Sequence, residues 1–149
     1  MATYKGAIKT IADAVTQSHV NPPGAGEGSI IHVTQDTYEA VAIAQDSLIE
    51  IGSKLPLNAY VYETILSYDA LGASSSLALG DAEDDDRYVT NTVTTSAGVT
   101  RTNAISGINY LIDETAGTDA ANTDRQILAK VVDTGAITGT VKATVLWAK

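Results

Sequence analysis

The feature that most constrains this chain is a succession of short runs rich in Val, Ile, Thr and Tyr, which starts near Ser29 and continues to the end. Such residues fit a pleated surface, and alternate side chains along a strand face opposite ways. Residues 29–34 (SIIHVT), 38–44 (YEAVAIA), 46–51 and 59–68 (AYVYETILSY) read as strands, and so do 75–79, 87–92, 105–112, 125–132 and 137–147. In the last, Val141, Ala143, Val145 and Trp147 share one face, and Thr140, Lys142, Thr144 and Leu146 share the other. The gaps are too short and too polar for the long helices of a doubly wound sheet, so the pattern implies a sandwich or a barrel. Eight or nine strands with turn residues between them favour an all-β, jelly-roll-like antiparallel β-sandwich.

Residues 1–28 break this pattern. Ile8, Ile11, Ala12 and Val15 recur at helical spacing, which suits a short amphipathic helix over residues 7–15. Pro22 and Pro23, followed by Gly24, Gly26 and Gly28, then rule out a regular element. Residues 1–28 therefore read as an extended N-terminal arm and linker, and residues 29–149 as the β-sandwich domain. Apolar residues on an arm gain by docking, which makes Ile8, Ile11, Val15, Pro22 and Pro23 interface candidates.

The charge balance excludes several partners. Nine basic residues against eighteen acidic ones leave a net charge of -9. Phosphate backbones and anionic membrane surfaces would be repelled, so neither a nucleic acid nor a membrane is expected as a partner. Residues 1–10 carry two lysines without an apolar run behind them, unlike a secretory signal. The chain has no cysteine, which removes disulfides and thiolate metal sites.

Chemistry-bearing constellations are few. Asp81, Glu83, Asp84, Asp85 and Asp86 place five carboxylates in six residues, the kind of cluster that holds a hard cation. Its spacing is not that of an EF-hand, and close carboxylates repel unless a cation sits among them, so a solvated turn partly neutralised by Arg87 is the favoured reading and no metal is expected. His19 and His32 have no nucleophile-elbow motif to serve and are too few for a three-histidine zinc site. Gly24-x-Gly26-x-Gly28 precedes a strand rather than a helix, so it makes no phosphate loop. No catalytic residue and no cofactor is expected. Tyr60, Tyr62 and Tyr68, read as a stripe on one strand face with Leu66, are further interface candidates. Sandwiches also host carbohydrate-binding modules, which keeps a glycan-binding role open as the rival from another class.

The run Lys54-Leu55-Pro56-Leu57-Asn58-Ala59-Tyr60-Val61, then Tyr68-Asp69-Ala70-Leu71-Gly72, Leu77-Ala78-Leu79-Gly80-Asp81 and Asp86-Arg87-Tyr88, resembles a group of small tailed-bacteriophage virion structural proteins, including capsid decoration (cement) and related head proteins. The resemblance covers residues 54–88 and extends loosely into the strand-rich C-terminal part. It implies a jelly-roll-like protein on the virion, made in the host bacterial cytoplasm, that binds the major capsid protein as a homotrimer. A head-fibre, neck or tail component is the alternative within the virion. The resemblance implies no catalytic residues.

Overall fold

The computed structural model describes residues 3–5, 30–56, 58–104, 107, 110–112, 126–133 and 135–149. Among these lie ten strands: β1 (Thr3–Lys5), β2 (His32–Ile43), β3 (Leu48–Glu50), β4 (Tyr60–Tyr68), β5 (Ser76–Gly80), β6 (Val89–Val93), β7 (Gly98–Arg101), β8 (Tyr110–Leu111), β9 (Leu128–Val131) and β10 (Ile137–Ala148). One sheet runs β1-β3-β9-β5-β6 and the other β2-β10-β4-β7, with β8 attached to one end of β4.

The pairings are nested. β2 pairs with β10, β3 with β9, β4 with β7 and β5 with β6, all antiparallel. The chain is thus one long two-stranded ribbon whose tip is the β5–β6 turn. Rolling that ribbon brings β10 against β4 and β9 against β5, which closes two four-stranded layers. This is a jelly roll, so the all-β sandwich expected from the sequence is the fold observed. β1 adds to it, lying parallel to β3 with Thr3 opposite Leu48, so the first described residues run along a sheet edge. The helix expected over 7–15 lies outside the described residues.

The core follows from the two-residue period. Ile49, Leu77, Leu79, Val89, Ala129 and Val131 from one layer, and Ala40, Val61, Leu66, Val141, Val145 and Trp147 from the other, are all buried. With no Phe in the chain, aliphatic side chains fill the interior, joined by Tyr88 and Trp147. The faces expected for 137–147 are those observed, since Val141, Ala143, Val145 and Trp147 are buried.

Two local readings change. The two runs 29–34 and 38–44 are one twelve-residue strand, β2. The polar break between them is bridged because Asp36 is buried and accepts the Thr37 and Gly52 amides, both at 2.8 Å. The Thr-rich stretch 93–103 carries the edge strand β7.

The tyrosine stripe is also broken. The β4–β10 register slips between Leu146, opposite Glu63, and Trp147, opposite Val61. This bulge places Tyr62 and Glu63 together on the outer side, and it reverses the alternation beyond them. Tyr60 and Tyr62 face outward, 45% and 40% exposed, whereas Leu66 is buried and Tyr68 packs against the core.

The loops fall at two ends. Residues 44–47, 69–75, 94–97, 132–133 and 135–136 gather at one end, joined by Asp46 N–H to the Val131 carbonyl and Leu71 N–H to the Thr94 carbonyl, 2.8 and 2.9 Å. At the opposite end lie residues 51–56, 58–59, 81–88 and 102–104, joined by Asn58 N–H to the Ile112 carbonyl and Asn103 N–H to the Tyr88 carbonyl, 2.8 and 3.0 Å.

The packing sets a clear contrast. Leu79→Ala in β5, where Leu79 is fully buried, should cost about 2–5 kcal/mol. Val41→Ala on β2, where Val41 is 71% exposed, should change stability by less than about 0.5 kcal/mol. Urea unfolding should show the first midpoint falling with an unchanged slope and the second staying in place.

Candidate functional site

The densest charge among the described residues sits at the ribbon tip, residues 81–88. The turn needs Gly80, because a Cβ there would run into the Asp84 carbonyl and the Asp85 backbone. Asp81 is 4% exposed, and its carboxylate organises the loop from inside. One oxygen accepts the Glu83 and Asp84 amides at 3.1 and 3.0 Å, and the other accepts Arg87 Nε at 2.7 Å. Arg87, itself 8% exposed, also reaches Glu83 Oε2 at 3.0 Å. Tyr88 N–H closes the hairpin onto the Leu79 carbonyl at 2.9 Å.

The five expected carboxylates therefore divide by role. Asp81 and Glu83 are engaged by Arg87, and Asp85 forms an ion pair with Lys130 of β9. Oxygens of Asp84, Asp85 and Asp86 lie within 4.8 Å of one another, close enough to share a cation. Burial holds the Asp81 carboxyl above its ordinary value against the pull of Arg87. Asp86 is raised chiefly by its hydrogen bond with Asp84, with burial and the like charges of Asp84 and Asp85 adding to it. Lys130 is raised chiefly by its hydrogen bond to Asp85. The sequence exposed the acidic cluster and its Arg87, but Lys130 lies 45 positions from Asp85 and only strand pairing brings it there.

The other candidates scatter. His32 stacks on Trp147, ring centroids 4.4 Å apart and 19° between planes, a packing role rather than a catalytic one. Tyr68 bonds Thr100 Oγ1 through its hydroxyl at 3.3 Å. Ile8, Ile11, Val15, Pro22, Pro23 and His19 lie outside the described residues. An open cleft of about 450 Å³ lies over the outer side of β4, lined by Ser67, Tyr68, Asp69, Gly98, Thr140 and Lys142. No nucleophile–histidine–acid arrangement forms among the described residues, where His32 is the sole histidine.

No family model and no curated protein sequence matches this chain. Solved structures do match. The fold is shared with chains of two phage capsids. A chain of the cyanophage Pam1 capsid asymmetric unit superposes with a TM-score of 0.67 at 20% identity, over 90% of this chain and 95% of that one. A chain of the capsid of Ralstonia phage GP4 gives 0.66 at 21% identity, over 99% and 98% of the two chains. The similarity thus spans each capsid chain almost end to end, rather than one domain of a longer protein.

Two outcomes test the tip. Arg87→Met leaves a buried Asp81 without its ion partner and should cost about 3–5 kcal/mol. Combining it with Asp81→Asn should recover part of the loss in a double-mutant cycle read by denaturant unfolding. The raised acids fix the sign of a pH effect. Their folded values exceed the unfolded value of 3.8, so the folded chain holds protons that the unfolded chain has released. That contribution is complete below the unfolded value and is lost as pH rises through the raised folded values. Asp86→Asn should therefore lose part of the gain in melting temperature that the wild type shows, relative to the variant, on acidification toward about pH 4.

Proposed function

We propose that this chain is a bacteriophage virion structural protein that decorates or cements the capsid by binding the major capsid protein, working as a homotrimer. The observation that carries the reading is end-to-end similarity to chains of two phage capsids, at nearly equal length. A small jelly roll suits a subunit added to a shell. Two features support it further. The chain carries a net charge of -9, which suits a basic shell surface and keeps the free protein off nucleic acid. At the ribbon tip the buried Arg87–Asp81 pair holds an acidic turn in shape, and preorganised groups lose less entropy on docking. Many equivalent sites on a symmetric shell multiply a modest affinity into lasting attachment.

Cosedimentation with shells built from the major capsid protein of the same phage tests this. Saturable binding that weakens as salt rises is the expected result. Absence of binding to both unexpanded and expanded shells would sink the proposal. Antibody labelling over the whole shell distinguishes decoration from a neck, tail or fibre position.

A further inference from the structure

The outer face of the β2-β10-β4-β7 sheet differs in character from the rest of the chain. By register and alternation it presents Val33, Gln35, Thr37, Glu39 and Val41 from β2, and Thr138, Thr140, Lys142, Thr144 and Leu146 from β10. β4 adds Tyr60, Tyr62, Glu63, Ile65 and Ser67, and β7 adds Val99 and Arg101. Val33, Val41 and Val99 are 62%, 71% and 64% exposed.

Charge is what sets this face apart. The chain has twice as many acidic as basic residues, 18 against 9. The strand residues of this face carry Glu39 and Glu63 against Lys142 and Arg101 and so balance, with Asp69 beyond the end of β4 adding one negative charge at the rim of the cleft. Arg101 and Glu63 neutralise each other at 2.6 Å, and Glu39 accepts the Thr140 hydroxyl at 2.9 Å.

We infer that this face is where copies of the chain meet, which rests on the homotrimer reading above. Two copies of a strongly acidic chain repel at any acidic patch, and like charges brought together cost several kcal/mol. A charge-balanced face studded with apolar residues escapes that cost and gains from burial. Its size is sufficient. Four strands at about 4.8 Å and about ten residues at 3.3 Å span roughly 600 Å². Covered by a different patch of a neighbouring copy, as the threefold arrangement of a homotrimer requires, it removes roughly 600 Å² from each side, in total above the ~1,000 Å² a specific interface requires. The open cleft between Val99 and Lys142 gives the face relief into which a neighbouring side chain fits.

Light scattering on purified protein tests the inference. The wild type should associate, and more tightly as salt rises from about 0.05 to about 0.5 M, because salt screens repulsion between acidic copies without weakening apolar contact. Val33→Glu with Val41→Glu should shift the dissociation constant by at least about tenfold and leave the melting temperature in place, since both positions are exposed. Val93→Glu, equally exposed on β6 of the other sheet, should leave association intact. A monomeric wild type, association that survives the double substitution, or equal loss in Val93→Glu overturns the inference. A monomer that still binds shells leaves capsid decoration standing and removes only the self-association face. Association lost in the double variant of a chain that ignores shells supports the face and removes capsid decoration.

Discussion

The antiparallel pairing of β2 with β10 is the constraint on which the rest of this structure depends. The two twelve-residue strands join parts of the chain about a hundred positions apart, from Ile43 opposite Ile137 to His32 opposite Trp147. β10 is also paired along its other side with β4, so its inner face supplies the wall that the remaining layer packs on. Without it the nested ribbon could form as hairpins but not close. Pairings this distant must meet the entropy of closing a long loop before they return any energy, which makes slow folding the expectation for such a topology.

The fold class was legible because its cause is local. A two-residue period and β-branched composition are written in each segment, and they give most strand positions and the buried side of β10. What was not legible depends on partners. The bulge that separates Tyr62 from Tyr68 exists only because β4 must stay in register with β10, and no feature of residues 60–68 alone marks it. The fusion of two short runs into β2 depends likewise on Gly52, whose amide meets the Asp36 carboxylate from a different part of the chain. The acidic turn was plain in sequence. That one carboxylate is buried and serves as its scaffold was not, because burial at the tip is made by the folding back of the turn itself.

Charge is distributed unevenly over this molecule, and the distribution follows the architecture. The tip gathers acids around Arg87 and Lys130, so part of its charge is spent on holding its own shape. The outer face of the β2-β10-β4-β7 sheet carries balanced charge and exposed valines. Such a division lets the turn's charge network and the sheet face vary independently of each other.

Asp36 has a consequence for the free protein. A twelve-residue strand at the margin of a sheet is a template on which another extended chain can add, the first step toward fibres. Asp36 points inward from that margin at 2% exposure, and its carboxylate takes the backbone N–H of Thr37. A strand laid alongside would find that donor already engaged, next to a charge that any shift of register would have to drag from its place. The residue that joins the two halves of β2 thus also leaves that edge less fit to receive a further strand.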